Sequence, residues 1–189
     1  VILEQWDKPG GLMRTNIPAF RLPETVIDEE IGYITGMGAE IRYNSRIDSL
    51  KKLLGTGGFD AVFVGSGAPK GKELKLPGRK EGDANIHIGI QWLESVAFKH
   101  LDKIGERVLI IGVGNTAMDC CRSSLRLGAK DVKVMARKPR QFFKASEWEL
   151  EDAESENVEI VVNHAPKSFV VENGRLTGML FDKMQYEMD

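Results

Sequence analysis

The stretch VLIIGVGNTAMDCC, residues 108–121, decides the fold. Four aliphatic residues run into a corner with two glycines and then into small, helix-compatible residues, the pattern of a buried strand turning into a helix. Gly112, Gly114 and Ala117 fit the spacing G-x-G-x-x-G/A. In that arrangement the first position allows a tight turn, the second lets a diphosphate approach the backbone, and the third lets the helix pack close to the sheet. Asn115 or Thr116 is placed to cap the helix, whose first N–H groups would face the diphosphate.

The same turn also occurs in methyltransferases and in ordinary strand–helix connections, so the surrounding residues matter. Ala117, Cys120, Cys121, Ser124 and Gly128 make a helix face of small residues, suited to close packing. The next strand ends in VMARKPR. A site for NAD expects an acidic residue there to bind the ribose 2′-hydroxyl, whereas NADP needs cations for its 2′-phosphate. Arg137, Lys138 and Arg140 supply cations, with Arg137 as the main clamp. The missing acid also argues against a methyltransferase.

Working outward, RVLIIG, TAMDCCRSSLRLG, VKVMAR, SEWELEDAES and VEIVVN read as strand, helix, strand, helix and strand, with KPRQFFKA as a basic loop. Right-handed crossovers would make the sheet parallel. The final KSFVVENGRLTGMLFDKM reads as a hairpin turning at ENGR. On the other side lies the helix IQWLESVAFKHL, preceded by a Gly-, Pro- and Lys-rich connection, APKGKELKLPGRKEGDAN. In the first part, VILEQ, AEIRYN and DAVFVGSG read as strands, and ETVIDEEIGYITGMG and SLKKLLGTGG as helices. The proline-interrupted WDKPGGLMRTNIPAFRLP reads as loop. The expectation is an α/β protein: a Rossmann-like NAD(P)-binding domain with a central parallel sheet, plus part of a second Rossmann-like domain.

Composition narrows the chemistry. The chain has 189 residues, 42% hydrophobic and 29% charged, with a net charge of −2, which gives no electrostatic argument for nucleic acid or an acidic membrane. No apolar run approaches the roughly 20 residues of a membrane span. Cys120 and Cys121 are adjacent, which supports neither a disulfide framework nor a metal knuckle, and they read as small core residues in a cytoplasmic protein. His87, His100 and His164 fall in no metal or triad spacing. Tyr33 and Tyr43 are followed four places on by Met37 and Ile47, so neither starts the Tyr-x-x-x-Lys pair of short-chain dehydrogenases. The residues therefore describe a place for a hydride donor without catalytic side chains, and an acceptor such as flavin would supply the chemistry.

The segments VILEQWDKPGGLMRTNIPAFRLP, DAVFVGSGAPK, LPG and GVGNTAMDCCRSSLRLGA, in that order, resemble the NADPH-dependent glutamate synthase small-subunit family of flavin oxidoreductases. The resemblance covers nearly the whole chain. It implies that residues 1–84 belong to an FAD-binding domain and residues 85–189 to an NAD(P)H-binding domain inserted into it. It also implies that hydride passes from NADPH to FAD and onward to a further acceptor. By position it assigns Glu4 to the adenosine ribose of FAD, Gly11, Leu12 and Met13 to the loop along the flavin, and Arg21 to the FRLP motif. Ser66 and Gly67 match the turn that returns to FAD, and Gly114, Asn115, Thr116, Ala117, Arg137 and Lys138 match the NADP site. Ala145 and Glu149 keep the spacing of a Met-Pro-Ala-x-x-x-Glu motif in which Phe143 and Lys144 replace Met-Pro.

The FAD glycine fingerprint is expected ahead of Val1 and the rest of the FAD domain beyond Asp189, so the chain reads as a fragment. Two cysteines cannot supply a four-cysteine iron–sulfur site, and the implied partners are the rest of the FAD domain and an iron–sulfur or large catalytic subunit. A module that senses NADP(H) or joins subunits without catalysis is the alternative. The loop from Pro9 to Pro23 discriminates the two, since only a flavoenzyme needs a flavin-facing Gly-Gly segment.

Overall fold

The computed structural model describes residues 1–186, and its chain forms two compact units, Val1–Pro69 and Lys70 onward.

In the first unit, β1 (Ile2–Leu3) pairs in parallel with β2 (Ile41–Arg42). Between them lie α1 (Gly11–Thr15) and α2 (Glu24–Gly36), and α3 (Leu50–Thr56) follows, capped by Ser49, whose hydroxyl accepts from Lys52 N at 3.2 Å. The stretch expected as loop contains α1. Pro9 and Pro18 bound this short helix rather than interrupt it, so the proline restriction on helix interiors does not reach it. Arg14 then ties it to α2, donating from Nε to Pro9 O at 2.7 Å and pairing with Glu24 and Asp28. Of the apolar α2 positions, Ile27 is the buried one.

DAVFVGSG does not form a strand. β1 and β2 pair only with each other, and without a ladder partner the alternating residues leave Phe63 95% exposed.

The second unit contains α4 (Gly89–Ala97), β3 (Arg107–Ile111), α5 (Asn115–Arg126), β4 (Asp131–Met135), α6 (Glu147–Ser155) and β5 (Glu159–Val161). Its sheet is parallel in the order β3-β4-β5, with Val108 opposite Val132 and Ile110 opposite Val134. Those residues pack with Met118, Cys121, Leu150, Ala153 and Val158 into the main core under α5 and α6. On the other side of α5, Cys120 meets Trp92 and Leu93 of α4. A Cβ at Gly89 would lie 3.1 Å from Cys120 Sγ, so small residues allow α4 and α5 to approach there.

The hairpin is β6 (His164–Glu172) with β7 (Arg175–Lys183), joined through Asn173 and Gly174 at φ 52° and 72°. Part of the connection expected to be exposed packs against it. Phe169 N donates to Pro77 O at 2.9 Å, and Gly78, at φ 81°, leaves no space for a Cβ, which would sit 2.6 Å from Phe169 O. The turn is braced by Arg79, which pairs with Glu73 at 3.0 Å and Asp83 at 2.5 Å.

Candidate dinucleotide site

Gly112 leaves β3 at φ 120°, a conformation that penalises any side chain, and its N–H donates to Met135 O at 3.1 Å. This bond folds the corner over the end of β4. Gly114 has φ −111°, accessible to any residue, and a Cβ there would meet nothing within 4 Å. Neither backbone nor neighbours require glycine at 114, so the space it leaves is outside the protein, where a diphosphate would approach. Ala117 packs on the core, as its place in the fingerprint predicts.

The helix cap differs from expectation. Gly114 is the cap residue and α5 starts at Asn115; no side chain caps it. Gly114 O accepts from Ala117 N and Met118 N at 2.8 and 3.2 Å, and the Asn115 and Thr116 N–H groups belong to the first turn, where no intrahelical acceptor exists. Asn115 is used elsewhere: its Oδ1 accepts from Ser146 N at 3.0 Å. Val113 O accepts from Lys144 N and Ala145 N, each at 3.0 Å. These three bonds strap the loop before α6 onto the glycine corner.

The three predicted cations divide into different environments. Arg137 is exposed and has no ion pair among the described residues. Lys138 places Nζ 5.1 Å from the centre of the Phe142 ring. Arg140 is engaged by α6, with Nη2 2.7 Å from Glu147 Oε1 and Nη1 2.5 Å from Glu154 Oε1. Arg137 and Lys138 are therefore available to an anion, while Arg140's charge is already balanced.

Sequence reasoning missed a partly buried ion-pair group that joins α5 to α6. Arg122 reaches Glu156 at 2.9 Å, Asp152 at 2.8 Å and Glu149 at 3.6 Å, and Arg126 reaches Glu156 at 2.6 Å. The Glu156 carboxyl is held below its usual range, first by the Arg126 hydrogen bonds and then by those of Arg122. The signal was present: Arg122 and Arg126 are one helical turn apart, and acids at similar spacing stand at 149 and 152 on α6 and at its C-cap, 156. The two thiols are core groups, and burial pushes Cys121 up to about 12 and Cys120 also upward, which keeps both protonated.

The residues assigned to FAD all lie in the first unit. Glu4 directly follows β1, with its N–H donating to Arg42 O at 2.9 Å and its Oε1 accepting from Trp6 N at 3.0 Å. Gly11, Leu12 and Met13 form the start of α1, with Met13 51% exposed. The turn at Ser66–Gly67 comes against this helix, since a Cβ at Gly67 would lie 3.4 Å from Leu12 Cδ1. Arg21 is half-buried, and its N–H donates to Pro18 O at 2.8 Å. Among the described residues, no group of three or more His, Cys, Asp or Glu could hold a metal ion, and no helix is long and apolar enough to cross a membrane.

Comparison with known proteins agrees with this architecture. The chain is 32% identical to the NADP(+)-dependent formate dehydrogenase subunit beta of Moorella thermoacetica, over 97% of this chain and 26% of that protein. It is 31% identical to the glutamate synthase (NADPH) small chain of Escherichia coli K12, over 95% of this chain and 40% of the relative. The chain thus spans between a quarter and two-fifths of the length of these relatives. Mycobacterium tuberculosis FprA, solved in complex with NADPH, shares the fold at a TM-score of 0.72 and 15% identity, with 96% of this chain and 61% of FprA covered. Residues 27–189 match the pyridine nucleotide-disulphide oxidoreductase family, and the chain belongs to that family, in which it is similar to glutamate synthase small chains.

Proposed function

We propose that this chain is the NADPH-binding portion of a flavin oxidoreductase similar to the glutamate synthase small subunit. The observation that carries the reading is the open Gly114 corner together with the exposed Arg137, which has no ion pair among the described residues, at the end of the neighbouring strand. The corner suits a diphosphate and the guanidinium suits a 2′-phosphate, to which a charge-assisted hydrogen bond contributes about 1.5–3 kcal/mol. In this reading residues 85–189 hold NADP(H). The Asn115 and Thr116 N–H groups face the diphosphate, and Arg137 and Lys138 take the 2′-phosphate.

Residues 1–84 contribute part of an FAD site through Glu4, the Gly11–Met13 turn, Arg21, and Ser66 with Gly67. The contact of Leu12 with the Gly67 turn supports this, because it brings two of the assigned segments together. When both cofactors are bound, they supply the redox chemistry, a hydride passing from nicotinamide to flavin. The protein's part is to orient the two rings and clamp the phosphates. The names of the relatives, a subunit beta and a small chain, support a further subunit; in this reading it is an iron–sulfur or large catalytic subunit and the next acceptor. The two buried, protonated thiols are consistent with a cytoplasmic setting.

Anaerobic mixing of the protein with FAD and then NADPH tests the reading. Loss of oxidised-flavin absorbance that needs both the protein and NADPH is the expected result. A protein that takes NADPH tightly but never holds or reduces flavin would be a sensing or subunit-joining module instead.

A further inference from the structure

We propose that Phe142 and Tyr186 form the stacking surface for the adenine ring of the dinucleotide, an assignment that rests on the NADP(H) reading above. The two rings come from distant parts of the chain and meet with centroids 6.2 Å apart at an interplanar angle of 33°. Both are open to solvent, Phe142 at 46% and Tyr186 at 38%. Backbone bonds define where they meet. Ala136 N donates to Val161 O at 2.8 Å, His164 N to Ala136 O at 2.9 Å, and Met184 N to Asn163 O at 2.7 Å. The segments leaving β4, β5 and β7 are thereby gathered at the carboxyl ends of the parallel strands, where ligands of open α/β sheets bind.

The chemistry of the ligand makes the placement specific. In NADP the 2′-phosphate and the adenine are attached to the same ribose, so a cation that receives the phosphate requires a surface for the base within one sugar's reach. Arg137 and Lys138 precede Phe142 by only a few residues, and Lys138 lies over the Phe142 ring, a cation–π contact that helps fix the ring. Every purine presents a π face to such a ring, and stacking on exposed aromatic side chains is a general means of holding a base. The short helical turn Arg140–Phe142 is itself held by the ion pairs of Arg140 with Glu147 and Glu154. Arg140 therefore acts as a positioning residue for the Phe142 ring.

The test is calorimetric titration with 2′,5′-ADP, which carries the adenine and the 2′-phosphate but no nicotinamide. Inorganic pyrophosphate serves as a probe without a base. Phe142→Ala and Tyr186→Ala should each weaken 2′,5′-ADP roughly five- to tenfold, as expected for loss of one stacking ring, and leave pyrophosphate unchanged. Tyr186→Phe should bind as the wild type does, and Tyr186→Leu should bind as weakly as the alanine variant. Should Phe142→Ala fail to fold, the Tyr186 series decides alone. Wild-type affinity for 2′,5′-ADP in Tyr186→Leu and Tyr186→Ala would overturn the assignment while leaving the NADP(H) reading intact. A wild-type protein that does not take up 2′,5′-ADP would overturn both.

Discussion

Asn115 Oδ1 accepts a hydrogen bond from Ser146 N at 3.0 Å, joining the first residue of α5 to the residue that precedes α6. Together with the two bonds to Val113 O, it makes the glycine corner and the 143–146 loop one unit. A diphosphate at the corner would thus meet a surface fixed from both sides before it arrives, which reduces the ordering cost of binding.

Substitutions at Asn115 separate the strap from the charge of the ligand. Asn115→Ala should lower stability by about 1 kcal/mol and weaken NADPH several-fold, because Ser146 N loses its acceptor. Asn115→Asp keeps an acceptor oxygen, so thermal melting should stay near wild type. Its carboxylate would face the diphosphate, and NADPH titration should show weaker binding than in the alanine variant.

The two corner glycines should respond in opposite ways to alanine. Gly112→Ala places a side chain at φ 120° and should cost about 1–3 kcal/mol in chemical denaturation. Gly114→Ala meets no protein atom and has a permissive φ, so it should cost no more than about 1 kcal/mol, the difference between cap residues. Calorimetry should nevertheless show that Gly114→Ala has lost NADPH binding, because its methyl group occupies the space left for the phosphate.

This contrast illustrates what could be read in advance. The β3–α5–β4–α6–β5 run was legible because aliphatic strands and the small residues of α5 mark it, but the single small-residue face expected of α5 is divided: Cys121 joins Val108 and Val132 in the main core, while Cys120 packs against Trp92 and Leu93 of α4. The strand expected at DAVFVGSG was not realised, since alternation shows what could pair and not whether a partner is there. Position along the chain showed Arg137 and Arg140 as equivalent cations. Only the fold brings Glu147 and Glu154 to Arg140 and leaves Arg137 without an ion pair among the described residues. Asn115 was legible as a polar residue at a helix start, but its acceptor role toward Ser146 depends on a contact between residues 31 positions apart.

Removing Arg122 should destabilise the second unit by about 3 kcal/mol in urea unfolding, since it would break the ion pairs that join α5 to Glu149, only 3% exposed at its side chain, Asp152 and Glu156. The same group predicts a pH dependence. Glu156 has a folded pKa below its unfolded value of about 4.3, so its contribution is fully present above that pH and is lost as the pH falls through the folded value. Stability measured from pH 6 downward should therefore decline, and Glu156→Gln should flatten part of the decline. An unchanged acid profile in Glu156→Gln would contradict this assignment.

Selection of NADP(H) by the corner together with Arg137, which has no ion pair among the described residues, is tested most directly by the ratio of NADPH to NADH affinity in the wild type, Arg137→Ala and Arg140→Ala. NADPH should bind at least about tenfold more tightly than NADH to the wild type, as expected for one charge-assisted contact to the 2′-phosphate. Arg137→Ala should lose most of that preference without a change in melting temperature, while Arg140→Ala should retain it in larger part. Equal affinity for the two dinucleotides in the wild type, or full NADPH preference in Arg137→Ala, would contradict the account.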